Sequence, residues 1–155
     1  MPQTTSSVPI ACAYVGIAAS STCSPFTDVS GSTNSVTGIE QTKNVADEYT
    51  LDGRFAISEL GKHQPADIVV RCVFNTNATE AYRLAREAFR EAVCDGKICL
   101  RVIPGGAVAG NEGWQTNYAP VTRMRWPDVN AGEAGPAMAE FTVHAADIDP
   151  FVYAS

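Results

Sequence analysis

Apolar and polar positions alternate in twos along most of this chain, and one stretch alone switches to helical spacing. Ile68, Val70, Cys72 and Phe74 share one side of an extended segment and Asp67, Val69, Arg71 and Val73 the other, which predicts a strand over Ala66–Phe74. Its second side is half apolar, so a neighbouring surface is expected against it. From Asn77 the period changes. Tyr82, Ala85, Ala88, Phe89, Ala92 and Val93 form one apolar stripe, with Arg83, Arg86, Glu87, Arg90 and Glu91 opposite. This predicts a helix over Asn77–Val93 with Tyr82, Ala85, Phe89 and Val93 as its core face. Asn77 and Glu80 have the spacing of a capping box, and Asp95-Gly96 supplies a stop at which glycine can turn left-handed. Arg83 and Glu87 stand one turn apart, a pair worth about 0.3 kcal/mol. Glutamates interleaved with the arginines make this row a solvated face rather than a phosphate-binding one. Lys97–Ile103 returns to alternation, with Ile98, Leu100 and Val102 on one side.

On either side of this strand–helix–strand unit the pattern is of strands joined by polar loops. Strands are expected over Ile10–Val15, Val36–Gln41, Val45–Thr50, Arg54–Ser58, Ala119–Trp126 and Ala137–Ala145, with Phe151–Tyr153 as a terminal strand or a tucked end. Leu51-Asp52-Gly53 carries a turn signature, and Pro65 ends the run before the central strand. The connection over Pro127–Pro136 is turn-rich, so the two strands it joins are expected to pair antiparallel. Met1–Ser7 reads as a polar arm. Residues 20–37 and 104–118 read as long loops, the first rich in Ser and Thr and the second opening on a glycine-rich run; loops of that length are usually functional. No repeat or composition break divides residues 1–155, so one domain is expected.

The 45% apolar and 18% charged fractions are those of a folded chain, not a disordered one. The net charge of −6 disfavours adhesion to nucleic acid or anionic lipid, though not the passage of DNA through an acidic channel. No apolar run is long enough to span a bilayer. Val8–Ala19 resembles the apolar part of a signal peptide, but no basic residue precedes Lys43, so an apolar first strand is expected there instead. The five cysteines are odd in number and irregular in spacing, which argues against a full disulfide framework and for a reducing compartment. Cys72 is expected to pack as a small apolar residue.

The motifs of this chain carry no recognisable catalytic chemistry. Gly105–Gly113 lacks the Lys-Ser/Thr of a phosphate loop, and neither a nucleophile elbow nor a zinc-protease helix is present. Cys94 and Cys99 form a C-x4-C pair, but His63 and His144 are the only histidines and neither adjoins another candidate, so no metal site is expected. Asp47-Glu48 and Asp147/Asp149 read as loop charges. Asn77-Ala78-Thr79 matches a glycosylation sequon, yet a helix cap already accounts for Asn77. Arg123 and Arg125 point the same way beside Trp126, where a pairing with Glu140 or a loop acid is expected in preference to base stacking. No enzyme, cofactor or catalytic residue is expected.

The order of these elements, from "ADIVVRCVFN" through "ATEAYRLAREAFREAV" and "GKICLRVIPGG" to "APVTRMRWPDVNAGEAGPAMAEFTVHA", resembles that of the major tail tube proteins of long-tailed bacteriophages, over roughly Val36 to Ala145. The resemblance implies an α+β, mainly β fold: a β-sandwich or barrel flanked by one helix, with long inter-subunit loops. It implies homohexameric rings stacked into a virion tail tube assembled in the host cytoplasm. Tape-measure and other tail proteins would be its partners, with genomic DNA passing through the lumen unbound and no membrane involved. Val8, Ile10, Tyr49, Leu51, Phe55, Trp114, Tyr118 and Phe151 are the candidate inter-subunit contacts. Two other readings fit the same residues. One is a tube subunit of a contractile injection or type VI-like secretion system. The other is a secreted carbohydrate-binding module stacking sugars on Trp114, Tyr118 and Trp126.

Overall fold

The computed structural model describes residues 12–49, 51, 53, 57–90, 96–132 and 134–154. Eleven strands and one helix run in the order β1 (Tyr14–Ala18), β2 (Thr27–Asp28), β3 (Thr33–Thr37), β4 (Lys43–Glu48), β5 (Ile57–His63), β6 (Ala66–Val73), α1 (Ala81–Arg90), β7 (Lys97–Ile103), β8 (Glu112–Thr116), β9 (Ala119–Arg125), β10 (Met138–Ala145) and β11 (Ile148–Val152). Among the described residues the structure is thus mostly β with one helix, as the periodicity implies.

Two layers form the body. One is β2-β1-β7-β8-β11 and the other β3-β6-β10-β9, antiparallel throughout. They meet at β7, which pairs with β9 through Lys97↔Pro120 and Ile98↔Ala119, then with β8 through Arg101↔Gln115 and Val102↔Trp114. The path among the described strands has free ends at β11 and β3, so a single chain does not close the barrel that was one of the two expected forms.

The core lies between the layers because alternation and register agree. Ile68, Val70 and Cys72 of β6 stand opposite Val143, Phe141 and Ala139 of β10, and Phe141 in turn faces Met124 of β9. From the other layer come Val15, Ile17, Ile98 and Leu100. Each such side chain, fully buried, contributes about 1.5–3 kcal/mol. Cys72 packs here as a small apolar residue, and burial pushes its thiol up to about 11.

Helix α1 is the crossover from β6 in one layer to β7 in the other and packs on β9, β10, β6 and β7. It is shorter than Asn77–Val93. The backbone turns first, Glu80 N–H donating to the Asn77 carbonyl at 3.2 Å, and the helix begins at Ala81. A distant side chain meets the first turn: Ala81 N–H donates to Ser32 Oγ at 3.3 Å, and Ser32 Oγ is held in turn by the Val29 carbonyl. Tyr82 and Ala85 face the core as expected, with Ala81 and Ala88, and the small alanines let the helix lie close to the sheet. Phe89 departs from its expected place. One position on from Ala88, it lies on the rim at 40% exposure. Val93, Cys94 and Asp95 lie outside the described residues, but Gly96 has the positive φ of 71° expected at the stop.

Both long loops contain strands. Residues 27–28 pair with β1 and 33–37 with β6, while 112–116 pair with β7 and β11. Their own residues are too polar or glycine-rich to announce this; the partner strands impose it. Gly113 is required because a Cβ there would sit 2.6 Å from the Val102 carbonyl. Gly38, at φ 81°, turns the chain against the Asp67 carbonyl in the same way.

The cysteines also correct an expectation. Cys23 and Cys99 form a disulfide, with Cα atoms 5.5 Å apart. Antiparallel pairing of Ala18 with Cys99 returns the segment after β1 to β7 across 76 residues, a closeness that spacing cannot reveal. The inference of reduced thiols therefore fails for Cys23 and Cys99. Among the described cysteines, Cys12 is free and exposed and Cys72 free and buried.

Candidate assembly surface

One element stands off this body. Strands β4 and β5 pair only with each other, in the register Val45↔Leu60, Ala46↔Glu59, Asp47↔Ser58 and Glu48↔Ile57. Asp47 and Glu48 are thus strand residues, not loop charges as expected. β5 also runs on through Gly61 to His63 before Pro65 stops it. Every described side chain of the hairpin faces solvent, including Val45 at 57% and Leu60 at 71% exposure, and Tyr49 and Leu51 beyond are more exposed still. At about 3.4 Å per residue, β4 alone projects roughly 20 Å. A lone two-stranded hairpin is marginally stable in water, and among the described strands this one pairs only within itself while Val45 and Leu60 stand exposed.

A polar latch fastens the hairpin at its root. Gln41 Nε2 donates to Asp147 Oδ1 at 2.6 Å and lies 2.7 Å from His63 Nδ1, which is itself 3.3 Å from Asp147 Oδ1. The hydrogen bond from the His63 ring holds the Asp147 carboxyl below the usual carboxylate range against the opposing cost of burial, with the Gln41 amide and Ile148 N–H adding to the lowering. Gln64 Nε2 donates to Asn44 Oδ1 across the same root.

Two other features flank the body. The first is an apolar groove of about 350 Å³ between the free edge of β3 and the opposite layer, where Val15, Val36, Ile39, Val102 and Trp114 converge. The second lies on the outer face of the other layer. Arg71 of β6, Glu140 of β10 and Arg125 of β9 stand in one cross-strand row. Arg125 reaches a loop acid, Asp128, at 3.6 Å. Trp126 closes one side, its Nε1–H donating to Tyr82 Oη at 2.9 Å.

Of the expected contact residues, Tyr49 and Leu51 are exposed, while Val8, Ile10 and Phe55 lie outside the described residues. Trp114 packs against the core and lines the groove. Tyr118 lies under Lys97 Nζ at 5.9 Å from the ring centroid. Phe151 stacks on Arg101 at 4.9 Å, with Phe26 on the same guanidinium at 4.0 Å. Trp114 and Trp126 line different clefts, so the aromatics invoked for sugar stacking do not make one platform. The sequence reading missed the latch and the Arg101 stack, because each joins residues far apart in the chain with no local signature. No group of three or more His, Cys, Asp or Glu among the described residues could hold a metal, and no described helix is long and apolar enough to cross a membrane.

Known structures share this architecture. A chain of the sheath–tube complex of an extracellular contractile injection system, PVC, in its extended state superposes with a TM-score of 0.70 at 17% identity, over 94% of this chain and 92% of that one. A chain from the tube-terminating cap of the anti-feeding prophage gives 0.71 at 16% identity, over 98% and 95%. A chain from the tail of an empty GTA particle, refined with C6 symmetry, gives 0.57 at 16% identity, over 91% and 95%. No family model matches the sequence, and no curated protein does. At these identities the likeness establishes the fold: one found in tube-associated components of contractile injection systems and in a tail particle, and not specific to long-tailed phages.

Proposed function

We propose that this chain is a tube-forming subunit of a contractile injection system, whose copies join into hexameric rings that stack into a hollow conduit outside the cell. The observation that carries this reading is the β4–β5 hairpin, which among the described strands forms a sheet of its own and bears exposed Val45 and Leu60, with exposed Tyr49 and Leu51 beyond. Free edges at β3 and β11 add unpaired backbone groups that a neighbouring copy can satisfy. The shared fold with contractile injection components supports a structural chain, and the absence of a catalytic motif agrees with a non-enzymatic role. The candidate contacts Tyr49, Leu51, Trp114 and Phe151 belong to this reading, as do Val8, Ile10, Phe55 and Tyr118.

A second reading keeps the tube and changes its cargo. Likeness to the GTA tail chain favours a phage-type tail tube in which DNA crosses an acidic lumen and a tape-measure protein sets the length. Electron microscopy of the purified chain tests what the two share. Hollow rings or tubes of uniform diameter are expected, and monomers alone at every concentration would refute both.

A further inference from the structure

The outer face of the layer that contains β1 and β7 carries a buried strip. Alternation puts Val15, Ile17, Ile98 and Leu100 between the layers. The register then places Ala18 opposite Cys99, and Gly16 opposite Arg101, on the other side. Ala18 is nonetheless 1% exposed and Cys99 0%, although neither belongs to the core between the layers. Residues 19–26 lie over this strip. They leave β1 at Ala18 and return to it at Thr27, and Cys23 on the way is bonded to Cys99. The Ser20 carbonyl oxygen lies 3.6 Å from Cys99 Sγ, and the Phe26 ring covers the Arg101 guanidinium at 4.0 Å.

This strap makes its turn with its own groups. Cys23 N–H donates to the Ser20 carbonyl at 2.9 Å, Thr22 N–H to Ser20 Oγ, and Thr22 Oγ1 to the Ser24 carbonyl. The β1–β2 ladder at its far end is two residues long, Gly16↔Asp28 and Ile17↔Thr27. Cys23 is held at a φ of 51°, a left-handed conformation that a residue with a side chain keeps only where its surroundings impose it. The bond to Cys99 supplies that constraint. Past β2 the chain is firm. Val29 is 1% exposed, its N–H donates to the Val15 carbonyl at 2.9 Å, and Ser30 Oγ accepts from Val15 N–H at 2.8 Å. Any release of the strap therefore stops at β2.

We propose that residues 19–26 are a redox-operated strap. The Cys23–Cys99 disulfide closes them over the β1–β7 face, and a dithiol reductant opens them without disturbing the core. The reductant's thiolate attacks at Cys23, the partly exposed partner, because Cys99 has no accessible surface. Cys99 leaves as the first thiol. The reductant's second thiol then closes on its own bonded sulfur and releases Cys23, so the reductant ends as a disulfide and two electrons and two protons pass to the cysteines. Opening uncovers Gly16, Ala18 and Cys99, a floor of small side chains beside Arg101. A disulfide oxidant closes the strap again by the reverse exchange. The closed form belongs to an oxidising exterior and the open form to a reducing cytoplasm.

The chain's own thiols report on this. In the full-length protein, alkylation with iodoacetamide followed by peptide mass spectrometry reads each cysteine separately. Without reductant, exposed Cys12 should react, whereas Cys23, Cys99 and buried Cys72 should not. With dithiothreitol at neutral pH and no denaturant, Cys23 and Cys99 should react at least about tenfold faster than Cys72, whose place in the core makes it the monitor of global opening. Hydrogen exchange should speed over residues 19–26 and stay unchanged in β6 and β10. Cys23→Ala combined with Cys99→Ala should show the fast strap exchange without reductant, and the wild-type measurements stand without that variant. Cys72 reacting in step with Cys99 would overturn the inference, because the opening would then be global. So would a disulfide that dithiothreitol leaves intact, strap exchange unchanged by reduction, or Cys23 and Cys99 that stay alkylatable after treatment with oxidised glutathione.

Discussion

Phe141 and Leu60 are both large apolar residues on antiparallel strands, yet one is 1% exposed and the other 71%. The difference lies in what stands on each strand's faces. Phe141 has strands on both sides, an opposing layer and a helix crossing the sheet, so its alternation is spent within the chain. Leu60 has only Val45 across from it, and no second layer. The body behaves as a finished core, whereas the hairpin is an unfinished one. The proposed assembly would complete the apolar area left outward on this rooted protrusion.

If that contrast is right, mutation should split stability from assembly. The largest effect is expected in the body: Phe141→Ala should cost about 3–5 kcal/mol through loss of a buried ring and the cavity it leaves. Urea unfolding of the unassembled chain would measure it, and a loss under about 1 kcal/mol would mean that the layers are not packed as described. The latch gives a smaller effect. Because the Asp147 carboxyl titrates below its unfolded value, its contribution is complete above the ordinary carboxylate range near pH 4 and is lost as the pH falls through the lowered value. Side-chain exposure near 40–47% keeps that contribution below about 1 kcal/mol. Asp147→Asn should therefore lower the amide-exchange protection factors at the hairpin root at neutral pH, and at acid pH the protection factors of the two proteins should converge. Equal exchange in both proteins at neutral pH would show that the latch does not hold the root.

The sequence disclosed the body better than the surface. Strand β6, the helix and β7 could be read because their period passes from 2 to 3.6 and back within 38 residues of continuous chain, 66–103. Strand β3 could not, because Thr33, Asn34 and Ser35 carry no apolar signal and β6 supplies the pairing. Strand β8 was hidden by Gly113, whose missing side chain is the condition for its approach to Val102. The bond from Ala81 N–H to Ser32 Oγ at the start of the helix was hidden too, because the position of Ser32 depends on the tertiary fold. The Arg71–Glu140–Arg125 row and the Gln41–His63–Asp147 latch arise only when strands distant in sequence come into register.

The most direct test pairs two changes on the hairpin's apolar side, Val45→Ser with Leu60→Ser, and measures particle mass by sedimentation velocity alongside thermal unfolding. Assembly should be lost or displaced to much higher concentration, with unfolding of the unassembled chain altered by no more than about 0.5 kcal/mol, as for exposed positions generally. Tubes forming as readily as in the wild type would contradict it.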